Sequence, residues 1–500
     1  MTRSAIPNHL ALIAVVSTIF LGTVVVSCRP TKPVSGQAVS QTRSASSEDS
    51  PFKSPLGAAL VGLQVMEQFA GSGARLLWPG EAFEWQRINP EGDSFVWHEY
   101  DRYGKVIESP EIDLIGRFKT GYGWEKVIDG RPEMKKGRGW ASCPPRDMEE
   151  FGRFVSETVQ HYRGQIRYWQ LLDEPHIPWK FRGSPEEYVE MLGTLSTAVK
   201  KDVPNGRVLN GSYQLRWLIP LALRDLIKDG NSEEAIRLYQ STYMRSSIAS
   251  KHEFPSVDNI AELKKVLKSD LAKYAIKFCE ILLTTGRDSF DIFCFHDHMT
   301  YDTPNTYDVV TQAALDLLKR YGVTETMYLT GVGQDKNQSP SDQARAVPIR
   351  IAASFAKGID YVLWWSFVDI EGPDSVNPRS GLYHDDGQPK PASVTFSTLA
   401  HKMQEIQFTR ASFLPVSNAK AVLFQGGKGE FVIAWRESGT RRSRIPLSGT
   451  SATVTTLVPV GTQTELRRSE VSIRSGSVFV SVNADPILIA SRDRKEYAGQ

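Results

Sequence analysis

Between about residue 54 and residue 405 the chain alternates short apolar runs with amphipathic segments, and no other feature restricts its architecture as much. The runs are ARLLW (74–78), IDLIGRF (112–118), IRYWQLL (166–172), RVLNG (207–211), FDIFCFH (290–296), TMYLT (326–330) and DYVLWWSF (360–367). Most are apolar on both faces, as strands covered by helices on either side must be. An eighth, PLGAAL (55–60), reads either as a strand or as part of a helix running on through LVGLQVMEQFAG. Between the runs, SPEEYVEMLGTLSTAVKK has Ser184 as N-cap, Pro185 at the first helical position and Glu187 closing a capping box. Its Tyr188, Leu192, Leu195 and Val199 share one face. SDQARAVPIRIAASFAKG puts Ala344, Val347, Ile351 and Phe355 on one face, with Pro348 expected to kink it. About 75 residues separate the fifth and sixth strands, an insertion carrying the helical pattern IAELKKVLKSDLAKYAIKFCEILL. Seven or eight such units fit an α/β fold, one (β/α)8 TIM barrel with elaborated loops over residues 54–405. A doubly wound sheet is the alternative, but no glycine-rich phosphate loop follows the first strand.

After His401 the character changes to short β-branched runs separated by Gly, Ser and Asn, among them AKAVLFQG, GEFVIAWRE and SATVTTLVPV. Residues 406–500 therefore read as a small all-β sandwich, an accessory domain that either binds glycan or braces the barrel. At the other end, Arg3 precedes the apolar run LALIAVVSTIFLGTVVV, which ends in VVSC. This resembles a bacterial lipoprotein signal over residues 1–27, with Cys28 lipidated as the mature N-terminus. A plain transmembrane anchor is the other reading. The Ser-, Thr- and Pro-rich stretch 28–53 suits a lipid-anchored tether. The expected location is the bacterial cell envelope, membrane-held through Cys28, at the outer membrane or facing the periplasm or cell surface.

The whole chain has 59 basic and 57 acidic residues, so composition gives no reason to expect a nucleic-acid partner, and no recognition motif is present. Cys143, Cys279 and Cys294 lack metal-site spacing, and Cys294 in DIFCF reads as a buried small hydrophobe. No metal or cofactor is expected. His296-Asp297-His298 raises a metal alternative, yet on a strand end the two histidines point to one side and Asp297 to the other. The 11 Trp and 17 Tyr serve core packing or sugar stacking, and composition does not choose between them.

In a barrel of this kind the working groups lie at the C-terminal ends of the strands. Those ends supply Arg75 and Trp78, Lys119 with GYGW and its Trp124, Asp173-Glu174-Pro175-His176, Asn210, His296-Asp297-His298, Gly331, and Trp365 with Asp369. In RYWQLLDEPH, a Glu between an apolar strand and Pro, with aromatic and His neighbours, suits a carboxylic acid of raised pKa. The plainer alternative is an acidic residue at a helix N-terminus.

RYWQLLDEPH resembles the strand-four signature of clan A glycoside hydrolases, which ends in Asn-Glu-Pro with the Glu as general acid/base. GARLLW, WQRINPEGDSFVWHEYD, FDIFCFHDH, DYVLWWSFVD with GLYHDDGQPKPA, and the closing ADPILIAS resemble further segments of that clan in the same order. The resemblance implies Glu174 as acid/base, Arg75 as support for the nucleophile, His296 as a sugar-site histidine and Trp365 as the floor under the sugar. Trp78, Trp124, Asp173, His176, Asn210 and His298 complete the expected substrate contacts. There are two departures. Asp173 stands where the clan has Asn, and an ionised Asp can only accept a hydrogen bond. MYLTGVG matches strand seven, Thr-Glu-x-Gly, and the nucleophilic Glu is replaced by Gly331.

A retaining glycosidase needs two carboxyl groups about 5 to 5.5 Å apart, one of them forming the glycosyl-enzyme. Glycine can do neither job. The resemblance then implies a carbohydrate partner and three readings of the chemistry. The first is hydrolysis of an O-glycosidic bond with inversion, Glu174 as acid and Asp297, Asp335, Asp369 or Glu371 as a relocated base. The second is a barrel without catalysis that binds sugar. The third is different glycan chemistry, such as proton abstraction beside a uronate with His296 or His298 as base. A purely structural surface lipoprotein is the reading from another class.

Overall fold

The computed structural model describes residues 54–80, 82–90, 92–98, 100–103, 112–120, 142–178, 180–244, 254–297, 304–330, 339–370, 380–458 and 466–492. Cys28, Trp124, His298, Gly331, Asp335 and Glu371 lie outside the described residues, as do the expected signal and tether. Residues 51–500 form one compact unit.

Ten parallel strands make the first sheet: β1 (Leu56–Val61), β2 (Leu76–Pro79), β3 (Phe83–Glu84), β4 (Asp113–Lys119), β5 (Tyr168–Leu171), β6 (Arg207–Leu209), β7 (Tyr213–Gln214), β8 (Phe293–Asp297), β9 (Thr326–Thr330) and β10 (Tyr361–Trp364). Their order is β6-β5-β4-β2-β1-β10-β9-β8-β7, with β3 also on β4. Two staves are broken. β2 and β3 both pair with β4, at Leu76↔Asp113 and at Phe83↔Phe118. β6 and β7 likewise share one stave, and Leu209 bridges Ile292 just before β8. That bridge joins the two ends of the order and closes the ring, so ten strands make eight staves. PLGAAL is a strand, with a short helix (Met66–Gly71) following it rather than absorbing it.

The inside of the ring follows the alternation of each strand. Ala59, Leu76, Ile115, Cys294, Met327 and Leu329 belong to one interior cluster. The alternate residues Phe293, Phe295 and Tyr328 pack instead with the helices. This explains why the strands are apolar throughout. Cys294 is completely buried, and burial pushes its thiol up to about 12. Cys279 and Cys294 are free thiols.

Helix Pro185–Asp202 starts with the expected capping box, and Tyr188, Leu192, Leu195 and Val199 are fully buried. The Tyr188 hydroxyl donates to Leu171 O at 3.2 Å and accepts from Gly211 N at 2.7 Å, tying the tips of β5 and β6 together. Pro348 lies inside helix Pro340–Ala356, which continues through it. In the insertion, helices Leu215–Lys228 and Ser232–Tyr239 come first, and the expected helical pattern then splits into two, Ile260–Val266 and Asp270–Leu283, each with its own side-chain N-cap, Asn259 and Ser269. Among the described residues no helix is long and apolar enough to cross a membrane.

Helix Pro391–Glu405 leads into eight antiparallel strands: β11 (Phe408–Phe413), β12 (Lys420–Gly426), β13 (Gly429–Trp435), β14 (Arg441–Pro446), β15 (Ser451–Thr456), β16 (Arg468–Ser472), β17 (Ser477–Val482) and β18 (Ile487–Ser491). Six form a sheet in the order β11-β12-β13-β18-β15-β16, and β14 pairs with β17. Val432, Ala434, Ile487 and Ile489 face the β14–β17 pair through a shared apolar core. The other face, with Phe424, Phe431, Ile433 and Leu488, joins the core of the barrel. Phe355 of the barrel lies 5.0 Å from Phe408 between ring centres, and Arg345 pairs with Asp485 at 2.7 Å. Burial on both faces is why AVLF, FVIAW and ILIA are unbroken apolar runs. The contact is a brace.

Candidate active site

The β5 strand ends in a sharp turn in which Leu172 and Glu174 both take left-handed backbone angles, φ 56° and 54°. Non-glycine residues rarely do this, and each instance costs about 1 kcal/mol or more. Gly211 makes the turn fit, because a Cβ there would stand 2.5 Å from Leu171 O and 2.7 Å from Pro175 Cδ. The following loop is held by Ile177 N to Glu174 O at 3.0 Å, and by pairing of Ser142 with the Lys180–Arg182 backbone. These bonds bring Lys180 back over Glu174.

Glu174 is buried, and three donors surround its carboxylate. His296 Nε2 lies 2.9 Å from Oε1, Lys180 Nζ lies 3.2 Å from Oε2, and the Gln214 amide donates to Oε1. Arg216 Nε donates to Gln214 Oε1 at 2.9 Å, which leaves the Gln214 NH2 to face the carboxylate. An ionised carboxylate only accepts, so His296 carries its proton on Nε2. Its Nδ1 sits 2.7 Å from Ser212 Oγ.

Burial alone would raise the pKa of Glu174. The hydrogen bond and charge of His296, followed by Lys180, outweigh it and hold the carboxyl well below its ordinary 4.5. The expectation of a raised pKa is therefore overturned, because polar donors rather than apolar walls surround the group. The shift upward falls on Asp173, from burial first and then from the charge of Glu174, against Arg117 and Lys180. Asp173 Oδ1 is buried without a hydrogen-bond partner among the described residues. A raised pKa moves Asp173 toward the protonated form, which can donate as the clan's Asn does.

Trp78 and the half-buried Trp365 meet with ring centres 5.6 Å apart. The Arg117 guanidinium lies 5.1 Å over Trp78 and donates to Gly80 O at 3.0 Å. Glu174, His296, Trp78, Trp365, Asp173, Arg117 and Lys180 thus share the C-terminal mouth.

Other expected site residues stand elsewhere. Arg75 precedes the first residue of β2, at the opposite end of the barrel, where its backbone bonds Leu56 and Asp113. His176 and Asn210 are fully buried behind the site. His176 stacks 3.9 Å from Tyr213 and accepts from Gln214 N at 3.3 Å. Its burial pushes the pKa well down, so it braces the Gln214 turn as a neutral ring. Asn210 Oδ1 accepts from Cys294 N at 2.5 Å, pinning the β6–β8 closure. Asp297 is buried on the side of β8 that Phe293 and Phe295 occupy, facing away from His296. Asp369 is locked by Lys390 Nζ at 2.6 Å and Gly381 N at 2.9 Å. Neither acid is placed to activate water at the mouth. Among the described residues no group of three or more His, Cys, Asp or Glu is arranged to hold a metal.

Sequence reasoning did not find Lys180, Gln214, Ser212 or Arg117. Arg117 was within reach, since alternation from the inward Ile115 places it inside. Lys180 arrives on a loop and Gln214 on the two-residue strand β7, placements that no local pattern records.

No protein-family model matches the chain, and no curated protein matches it. Solved structures do. A family 39 glycoside hydrolase from the gut symbiont Bacteroides cellulosilyticus WH2 aligns over 88% of this chain and 81% of its own, with TM-score 0.56 at 14% identity. A glucosidase from Croceicoccus marinus aligns over 87% and 94%, with TM-score 0.53 at 12% identity. A monomeric β-xylosidase from Caulobacter crescentus CB15 aligns over 88% and 97%, with TM-score 0.52 at 11% identity. The chain has the fold of these glycoside hydrolases, a (β/α)8 barrel closed by a C-terminal β domain.

Proposed function

We propose that the barrel mouth binds a carbohydrate, with Glu174 acting as an ionised acceptor for sugar hydroxyls rather than as a proton donor to a leaving group. The observation that supports this most is the ring of three donors on Glu174. A general acid must hold its proton when it meets the leaving oxygen. In a two-carboxylate site the second charge helps to keep that proton on, and the sequence has Gly331 at the matching position. The half-buried Trp365, backed by the buried Trp78, supplies the apolar platform.

The test uses residues 51–500 on a panel of plant, algal and microbial polysaccharides, followed by calorimetry and proton NMR. Binding without product, weakened in Glu174→Gln, is the expected result. Release of sugar that Glu174→Gln abolishes would overturn the reading.

Hydrolysis with inversion is the second reading, favoured by the opposite pKa shifts of Asp173 and Glu174, since acid and base partners are made by such separation. It requires a ligand that displaces Lys180 or His296 from Glu174, with Asp335 or Glu371 as base. An inverted anomer as first product is its signature. We further propose that Cys28 is lipidated and holds the chain at the bacterial envelope, supported by the apolar run ending in VVSC. Labelled palmitate incorporated by the wild type but not by Cys28→Ala is the expected result.

A further inference from the structure

The last 95 residues carry 13 basic against 7 acidic side chains, a surplus of six, while the 405 before them carry 46 against 50. Part of that surplus is gathered on one small face. β14 and β17 pair Arg442 with Ser481, Arg444 with Phe479 and Ile445 with Val478. Directly opposed residues share a face. Ile445, Val478 and Val480 point into the sandwich core, so Arg442, Arg444, Phe479 and Ser481 make the outer face. Phe479 is 46% exposed. The Arg442 guanidinium sits 5.9 Å from its ring centre, and Arg444 Nε donates to Ser477 Oγ at 3.1 Å. Among the described residues no carboxylate pairs with either guanidinium.

We propose that this face binds an acidic polysaccharide, its carboxylate or sulfate groups on Arg442 and Arg444 and a sugar ring against Phe479. The guanidinium fork matches such anions in two-point geometry. A flat exposed ring between two cations provides the apolar contact that a free anion would not need. A membrane fits less well, since Phe479 is the one large hydrophobic side chain that stands out from the strand pair. The site is separate from the barrel mouth and does not depend on what binds there. It gives the C-terminal domain a role besides bracing, holding the chain on a charged glycan.

The test is affinity electrophoresis of residues 51–500 through gels containing polygalacturonate, with a neutral glucan gel and anionic phosphatidylglycerol vesicles alongside. Retention by polygalacturonate alone, falling as salt rises, is the expected result. The double variant Arg442→Gln/Arg444→Gln loses about tenfold in affinity, and Phe479→Ser weakens it as well. Should the double variant fail to fold, Phe479→Ser decides. The proposal is overturned by no retention, by retention that these variants do not alter, or by binding to the vesicles only.

Discussion

Glu174→Gln separates a site that has given up its second carboxylate from one that still has it. In a two-carboxylate site like charges repel, and neutralising one of them relieves the folded state. Here the Glu174 carboxylate accepts from His296 at 2.9 Å and pairs with Lys180 at 3.2 Å, with Gln214 as third donor. A hydrogen bond to a charged group contributes about 1 kcal/mol more than one between neutral groups, so three such bonds lose roughly 3 kcal/mol. Neutralisation also returns part of the cost of burying a charge, leaving a net loss of about 2 kcal/mol. In a unit this large that lowers Tm by roughly 2 to 4 °C. The pH dependence has a definite sign. The folded pKa of Glu174 lies below its ordinary 4.5, so the stabilisation is present above that value and is lost as pH falls through the folded pKa. Urea unfolding of residues 51–500 at pH 7 and near pH 3 checks both statements. A variant as stable as wild type at pH 7, or more stable, would refute the ion-clamp account.

Asp369→Ala removes a carboxylate paired with the buried Lys390 ammonium and is expected to cost about 3 kcal/mol, read by thermal melting, with glycan affinity unchanged. Asn210→Ala leaves the Cys294 N–H without its acceptor and should cost about 1 to 3 kcal/mol. Phe424→Ala opens the fully buried seam between barrel and β domain at about 3 to 5 kcal/mol, and calorimetry should still show one transition. Trp365→Ala should weaken glycan binding at the mouth by about tenfold or more while the melt changes little.

The parts of the fold legible in the sequence were those that local chemistry determines. TMYLT is a strand over the same residues, 326–330, because it is a short run of apolar and β-branched residues. Ser184, Pro185 and Glu187 form their cap because every partner lies within one helical turn. RVLNG breaks off at Leu209 and the stave resumes at Tyr213, since Asn210 turns inward to the backbone of β8 and Gly211 admits Pro175. Both are long-range contacts that five letters cannot announce. The closing stretch SVFVSVNADPILIAS splits into two strands in different sheets, and the first strand of the domain, FTRASF, carries too little alternation to be seen.

The site shows the same division with a sharper consequence. Glu174 could be picked out from its sequence neighbours, but its protonation could not, because pKa follows from groups that arrive from three other places in the chain. His296 comes from β8, Gln214 from β7, and Lys180 from a loop fixed by Ser142. A raised pKa was expected from the apolar strand that delivers Glu174. The strand sets where the carboxylate stands, whereas its charge state depends on what faces it. On the proposed reading, the three donors keep Glu174 a fixed anion instead of a proton donor.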